Sequence, residues 1–340
     1  MLPALALLAA AVLGRAAYPR LIERRQERRR ARGPDGLVIG AAPIDLPREH
    51  APGVLLLHGG GDTPQAFDEL AKYLHKQGFA VRAPLLSGHG REISALTTAT
   101  AAGWYEDVRR EFELMRAAHD WVGVVGLSMG GALAIKLAAE RKDVGALVLL
   151  APYIAMPGGV RRMALTSRAW GWLVPYFSTR GAASIRDPAA ASRARGHGIL
   201  TPAALRALYD VVNEAVRALP QVRAPALVIQ SRDDNRIAPE SAEGGFARLG
   251  SPQKKFVWTN GAGHVITVDY GYQRVFELTS DWLDEHHARA REPGRGGGTE
   301  GSAQRRTDPS SPPVLRPPES GRHPRIIRSG SDRPDSRQDP

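Results

Sequence analysis

Short apolar runs alternate with amphipathic stretches along most of the chain. A continuous apolar run is typical of a strand that is buried on both faces of a parallel sheet. Between the runs, apolar residues recur at helical spacing, for example from Phe67 to Leu74. Strands that alternate with helices predict an α/β fold with a largely parallel sheet. The predicted strands lie near residues 52–59, 79–84, 121–125, 143–150, 224–230 and 255–258.

One long stretch interrupts this alternation. Between Leu150 and Ala224 the sequence shows no clear strand, and residues 157–219 instead hold helical pieces rich in arginine, alanine and aromatic residues. We predict a helical lid insertion above the sheet, where apolar side chains would face a substrate. The aromatic residues fit equally well as anchors between the insertion and the body of the domain, and both roles stay open.

The segment Gly126-Leu127-Ser128-Met129-Gly130 carries the strongest chemical signal. It follows a strand pattern and precedes an Ala- and Leu-rich helix pattern, which is the setting of a nucleophile elbow. A serine on so tight a turn takes a strained backbone conformation, and the flanking glycines avoid clashes with the neighbouring strand and helix. The pattern predicts that Ser128 is a catalytic nucleophile.

A serine nucleophile requires a base and a carboxylate that orients the base, because a serine hydroxyl is inert at its ordinary pKa. In a hydrolase built on this kind of elbow, the chain order is serine, acid, histidine. Asp233 and Asp234 follow the predicted strand at 224–230, and His264 follows the one at 255–258. The order is therefore satisfied with either aspartate.

Four segments carry a resemblance to a known family. They are Leu55-Leu56-Leu57-His58-Gly59, Ala83-Pro84-Leu85-Leu86-Ser87-Gly88-His89-Gly90, Gly126-Leu127-Ser128-Met129-Gly130-Gly131 and Gly263-His264-Val265-Ile266-Thr267, the last continued by Val268-Asp269. Together they resemble the α/β-hydrolase superfamily, and within it the bacterial carboxylesterases and monoacylglycerol lipases. The resemblance covers about residues 50–288 and includes neither end of the chain.

The resemblance implies an α/β-hydrolase fold and distinguishes the two aspartates. The acid segment of the family places an aliphatic residue three positions and a proline five positions after the aspartate. Asp234 fits this frame with Ile237 and Pro239. Asp233 leaves both out of register and is then expected to be a solvated loop residue.

An oxyanion hole is the third requirement, because charge develops on the carbonyl oxygen in the tetrahedral intermediate. One N–H group is expected from Met129, which follows the nucleophile at the start of a helix. The resemblance implies that Gly60 supplies the other and that His58 supports this loop structurally. Many relatives carry a bulky aromatic residue in place of Gly60, so this chain keeps the N–H group but lacks one wall of the acyl pocket.

Charge and composition exclude several other classes of function. The formal net charge is +11, but residues 15–32 hold +6, residues 291–340 hold +3, and the domain between them holds only +2. The basic character thus gives no argument for a nucleic-acid groove, and no nucleic-acid partner is expected. The chain contains no cysteine, which excludes disulfides and thiolate catalysis. The sequence has no metal-ligand spacing and no P-loop, so we expect neither a metal nor a cofactor.

The two ends differ in composition from the domain at residues 33–290. Residues 1–32 join an apolar run, Leu2 to Gly14, to an arginine-rich segment. A helix of that run would cover about 20 Å, short of the roughly 30 Å hydrocarbon core. Because an arginine side chain can extend from the end of the helix to the membrane surface, we nevertheless expect a membrane anchor. The arginines follow the apolar run, which would keep the domain on the cytoplasmic face. The alternatives are a cleaved signal peptide, which would make the protein secreted or periplasmic, and a disordered extension. Residues 291–340 are rich in Gly, Pro, Ser and Arg and predict a disordered tail.

The sequence as a whole predicts a serine hydrolase that acts on a small acyl ester. The triad would be Ser128, His264 and Asp234, and the resemblance implies short or medium acyl chains or monoacylglycerols as substrates. The same triad also serves thioesterases, amidases and lactonases, because one fold hosts many chemistries. A non-catalytic scaffold that binds a lipid or a protein is the remaining alternative, although such proteins usually lack a triad residue.

Overall fold

A largely parallel sheet forms the centre of the computed structural model, which describes residues 2–179 and 184–292. The strands in these residues are β1 (Ile44–Leu46), β2 (Gly53–Leu57), β3 (Ala80–Ala83), β4 (Val122–Leu127), β5 (Ala146–Leu150), β6 (Phe177–Ser178), β7 (Ile199–Leu200), β8 (Ala226–Ser231) and β9 (Lys254–Thr259). Seven of these described strands form the main sheet, in the order β1-β3-β2-β4-β5-β8-β9. β1 runs antiparallel to β3, and the other neighbours are parallel.

The carboxyl ends of the central strands meet at one edge of this sheet. β2 pairs with β4 as far as Leu57 opposite Gly126, and β4 pairs with β5 as far as Leu127 opposite Leu150. The loops after these strands therefore begin close together. In open α/β sheets, this edge is where ligands bind.

Helices cover both faces of the sheet. The α-helices of the described residues are α1 (Leu2–Arg29), α2 (Asp68–Lys76), α3 (Ala101–Ala118), α4 (Met129–Glu140), α5 (Gly158–Trp170), α6 (Pro188–Arg193), α7 (Pro202–Ala218), α8 (Pro239–Arg248) and α9 (Tyr272–Arg291). α3, α4 and α7 pack on one face in a core that contains Trp104 and Leu133. α2 and α9 pack on the other face around Phe67 and Leu283. Every residue of β2, β4, β5 and β8 is buried, which explains their continuous apolar runs.

The predicted α/β architecture with a mostly parallel sheet is confirmed, and each predicted strand is present to within a few residues. β1 was not predicted, because its three residues, the half-buried Ile44 and Leu46 around the exposed Asp45, form no apolar run at this antiparallel edge. The helical spacing from Phe67 to Leu74 corresponds to α2, which begins at Asp68 directly after a 3-10 turn, Pro64–Phe67.

The predicted insertion contains two different environments. In the first environment, α5 buries only Ala164 and Ser167. The short strands β6 and β7, which follow α5 in the sequence, pair in a small antiparallel sheet. α7 instead buries a face that includes Val211 and Ala215 in the main core beside α4. We use the name lid for residues 157–179 and 184–201, which precede α7.

The described part of α1 packs on the lid. The Tyr18 hydroxyl donates a hydrogen bond to the carbonyl oxygen of Tyr176 (3.0 Å), and the Tyr176 hydroxyl donates to the Glu23 carboxylate. Ile22 packs against an apolar cluster to which Tyr176 belongs. Farther along, Arg30 Nη1 donates to the carbonyl oxygen of Ala194 (2.9 Å). The arginine-rich segment therefore contacts both described parts of the lid, residues 157–179 through Tyr176 and residues 184–201 through Ala194.

Among the helices in the described residues, none is both long enough and apolar enough to cross a bilayer. The predicted membrane anchor at residues 1–32 stays a prediction. The predicted tail at residues 291–340 lies outside the described residues from position 293 onward.

The contact between α1 and the lid predicts a local effect of Ile22→Ala. Loss of a partly buried isoleucine side chain removes about 1–2 kcal/mol of packing, so we expect faster amide hydrogen exchange in the lid around Tyr176 and Ile199. Leu21→Ala is the matched control, because the Leu21 side chain is 48% exposed. Equal exchange rates in the two variants would contradict the contact.

Candidate active site

The turn between β4 and α4 holds Ser128 in a strained conformation. Its φ is 54° and its ψ is −117°, in a region that residues with a side chain rarely adopt. A Cβ on Gly130 would lie 1.9 Å from the carbonyl oxygen of Leu57, and a Cβ on Gly126 would lie 2.4 Å from that of Gly130. Only glycine fits at either position. The Ser128 N–H group donates to the carbonyl oxygen of Leu150 (3.0 Å), which fixes the turn to the end of β5.

The structure brings Ser128, His264 and Asp234 into one hydrogen-bonded chain. Ser128 Oγ lies 2.8 Å from His264 Nε2, and His264 Nδ1 lies 2.8 Å from Asp234 Oδ2. An ionised Asp234 can only accept a hydrogen bond, so Nδ1 carries the proton and Nε2 keeps its lone pair toward the serine. This is the tautomer that a general base requires.

Asp234 is held as a carboxylate by its donors. Burial by itself would raise the pKa of Asp234, but the hydrogen bond from His264 and those from the N–H groups of Arg236 and Ile237 outweigh it, so the pKa lies below its ordinary value. The Gln230 amide also donates to Asp234 Oδ2 (2.7 Å). The carboxylate has no exposed surface and faces donors on both oxygens.

Asp233 has a different environment. Its side chain is 41% exposed and forms an ion pair with Arg186. The Gly261 N–H group donates to Asp233 Oδ2 (2.7 Å). This hydrogen bond is the largest cause that lowers the pKa of Asp233, and the hydrogen bond from Arg186 is the second. Asp233 thus lies at the surface, whereas its neighbour reaches the histidine.

The two residues predicted for the oxyanion hole are neighbours beside Ser128. A Cβ on Gly60 would lie 3.2 Å from Met129 Sδ, and a Cβ on Gly59 would lie 3.3 Å from Ser128 Cβ. Met129 is the first residue of α4, and the first N–H groups of a helix have no partner within the helix. The glycine loop after β2 therefore lies directly against the start of α4.

His58 supports the glycine loop from below, as the sequence predicted. The Leu86 N–H group donates to His58 Nε2 (3.1 Å), so Nδ1 carries the proton and donates to the carbonyl oxygen of Gly59 (2.9 Å). Burial, with a smaller effect from His89, lowers the pKa of His58 to about 3. An imidazole that stays neutral and uses both nitrogens has no role as the base.

Asp269 links the lid to the loop that carries His264. Its carboxylate is 1% exposed and accepts four backbone N–H groups, those of Gly263 and Arg186 at 2.7 Å and of Asp187 and Tyr270 at 2.9 Å. Sequence reasoning included Asp269 in a motif but gave it no role. The available signal in the sequence was an aspartate directly after a largely apolar stretch. The four N–H groups that it binds come from two segments far apart in the chain, which the sequence does not reveal.

A family model described as serine aminopeptidase, S33, matches residues 48–270. The chain belongs to this family. The match leaves out α1 and the end of the chain, as the resemblance in the sequence does. Membership of the S33 family confirms the predicted α/β-hydrolase fold.

Relatives within this fold have been named for ester hydrolysis. A thermostable monoacylglycerol lipase of Bacillus sp. (strain H-257) is 28% identical over 252 residues, which are 74% of this chain and 97% of the relative. A carboxylesterase of Bacillus subtilis (strain 168) is 26% identical over 234 residues, 68% and 92% of the two chains. A solved structure described with the metagenome-derived lipolytic enzymes LipS and LipT matches this chain with a TM-score of 0.67 and 25% sequence identity. The match covers 74% of this chain and all of the solved chain. These relatives are carboxylic ester hydrolases.

A cavity of about 380 Å³ opens above Ser128 in this S33-family chain. Part of its wall comes from the lid, through Thr179, Ser184 and Ile185. Arg236 also lines the cavity and donates to Ser184 Oγ (2.9 Å). Among residues 2–179 and 184–292, no group of three or more His, Asp or Glu side chains is arranged to hold a metal ion.

The contrast between the two aspartates predicts unequal effects of the same substitution. Asp234→Asn should lower kcat/KM about 10³-fold or more, because an amide no longer fixes the histidine tautomer. Asp233→Asn should change it about twofold at most, because an exposed ion pair contributes little. Hydrolysis of p-nitrophenyl butyrate by the two variants measures the difference, and a larger loss in Asp233→Asn would contradict the assignment.

Proposed function

We propose that this protein is a serine hydrolase that cleaves carboxylic esters, with short- or medium-chain acyl esters or monoacylglycerols as substrates. The hydrogen-bonded chain from Ser128 through His264 to Asp234 carries the proposal. It ends at a cavity large enough for a small acyl chain. The named activities of the two Bacillus relatives support the choice of an ester bond.

In the first half-reaction, Ser128 Oγ attacks the ester carbonyl carbon while His264 Nε2 takes the hydroxyl proton. The resulting imidazolium is stabilised by the buried carboxylate of Asp234, which lies 2.8 Å from Nδ1. The N–H groups of Gly60 and Met129 hold the oxyanion. The intermediate collapses, the bond between the acyl carbon and the alcohol oxygen breaks, and His264 gives its proton to that oxygen. The alcohol leaves, and the acyl group remains bound to Ser128 Oγ.

In the second half-reaction, water enters and His264 Nε2 takes one of its protons. The hydroxide oxygen attacks the acyl carbon, and the same N–H groups hold the second oxyanion. Collapse of this intermediate breaks the bond to Ser128 Oγ, which recovers its proton from His264. The carboxylic acid leaves, and the triad returns to its starting protonation.

The ester proposal predicts serine-dependent turnover of p-nitrophenyl esters from acetate to palmitate. Ser128→Ala should lower kcat at least about 10⁴-fold with an unchanged melting temperature, because only the Oγ atom is removed. The chain length with the highest kcat/KM would give the size of the acyl pocket. Undiminished turnover in Ser128→Ala would contradict the mechanism, and serine-dependent turnover of acyl thioesters alone would contradict the choice of bond.

A further inference from the structure

The second half of α1 has one face that is fixed to the lid. Tyr18 donates to the carbonyl oxygen of Tyr176, and Ile22 packs in the apolar cluster that contains Tyr176. Gln26 is 5% exposed and lines the same groove as Tyr176. Four residues later, Arg30 reaches the second part of the lid. The lid-facing positions therefore recur every four residues, which places them along one side of the helix.

Arginines occupy the opposite side of this helix. Arg20, Arg24 and Arg28 also recur every four residues, and all three are exposed. They are displaced by two positions from Tyr18 and Ile22, which is about 200° around a helix. We use the name arginine stripe for these three residues. The stripe extends along about 12 Å of α1, on the side that the lid does not cover.

The two glutamates of α1 are engaged outside the arginine stripe. Glu23 accepts a hydrogen bond from the Tyr176 hydroxyl on the lid side of the helix. The Glu27 carboxylate lies 3.7 Å from Arg32, beyond the end of α1. The side of α1 that carries the stripe therefore presents a net positive charge to the solvent.

The surroundings of the stripe favour a lipid surface over a nucleic acid as the partner. Leu21, which directly follows Arg20, has a side chain that is 48% exposed. The first half of the same helix, residues 2–14, contains no charged residue. A helix that joins basic and apolar residues in this way binds at the interface of a bilayer, and basic residues next to an apolar segment attract anionic headgroups. A nucleic acid would use the arginines but would gain nothing from the apolar residues.

We propose that the arginine stripe binds the surface of a bilayer that contains anionic phospholipids, while the opposite face of α1 stays on the lid. The lid forms part of the wall of the cavity above Ser128, so this binding brings the wall of the cavity close to the bilayer. The stripe lies outside residues 48–270, which the family model matches, and is therefore an addition of this chain to the family fold. It also differs from the predicted anchor, because it depends on the charge of the headgroups and not on a span of the bilayer.

Sedimentation of the full chain with lipid vesicles tests the proposal. The chain should bind vesicles of phosphatidylglycerol and phosphatidylcholine in equal parts at least about tenfold more tightly than vesicles of phosphatidylcholine alone. About 1 M salt should remove this difference. The triple variant Arg20→Gln, Arg24→Gln, Arg28→Gln should bind the anionic vesicles about 100-fold more weakly, because each basic side chain near an anionic surface contributes a factor of about five.

A second triple variant is the matched control. Lys76→Gln, Lys142→Gln, Arg217→Gln removes the same three charges from exposed positions elsewhere in the chain. Its binding to the anionic vesicles should change about twofold at most, because exposed charges farther than a Debye length from the bilayer are screened. Both triple variants should keep the melting temperature of the natural chain, since every substituted side chain is exposed.

Amide hydrogen exchange tests the geometry of binding. If α1 stays on the lid, the amides around Tyr176 should exchange on anionic vesicles no faster than in solution. Faster exchange there would show that α1 leaves the lid in order to bind, and would overturn the proposed arrangement.

Three further results would overturn the proposal in distinguishable ways. Equal binding to both kinds of vesicle would show that the apolar half of α1 anchors the chain without the arginines. Equal losses in the two triple variants would show that net charge, and not the stripe, determines binding. Stripe-dependent binding to polyuridine RNA without any preference for anionic vesicles would show that the partner is a nucleic acid.

Discussion

The close approach of the β4–α4 turn to the end of β2 is the constraint on which the rest of the site depends. It leaves no space for a side chain on Gly130, which would meet Leu57 O at 1.9 Å. The same approach brings the glycine loop after β2 against Met129 and sets Ser128 at a positive φ. A turn with this strain persists only where the surrounding structure determines it, and here the hydrogen bond to Leu150 and the buried central strands do so.

The site separates its ionisable groups by their surroundings. Donors from four residues keep Asp234 ionised although it is buried, whereas burial dominates at Asp62, which lines the same cavity as Ser128, and raises its pKa. Burial also lowers the pKa values of His58 and His89, to about 3 and about 4. These two imidazoles are neutral loop supports, and His264 is the histidine that contacts the serine. Environments that push pKa values apart are a common sign of divided acid and base roles.

The amino-acid sequence predicted the sheet, the turn, Ser128 and His264 from local patterns: apolar runs, glycine spacing and residues at strand ends. The choice of Asp234 over Asp233 came from the family resemblance, because both aspartates lie at the same strand end. The contacts that it did not predict join distant segments. Asp269 binds N–H groups of the lid, and Tyr18 and Ile22 pack on Tyr176 across about half of the chain. β1 was missed because an antiparallel edge strand of three residues has no apolar pattern. Pairings of this kind follow from tertiary packing, which one sequence does not reveal.

The nucleophilic role of Ser128 is the central claim, and covalent labelling tests it most directly. The full chain would be treated with a fluorophosphonate, digested and mapped by tandem mass spectrometry. We expect one adduct, on Ser128 Oγ, and much slower labelling in His264→Ala because the base is lost. A folded protein that forms no adduct, or forms it on another residue, would contradict the account.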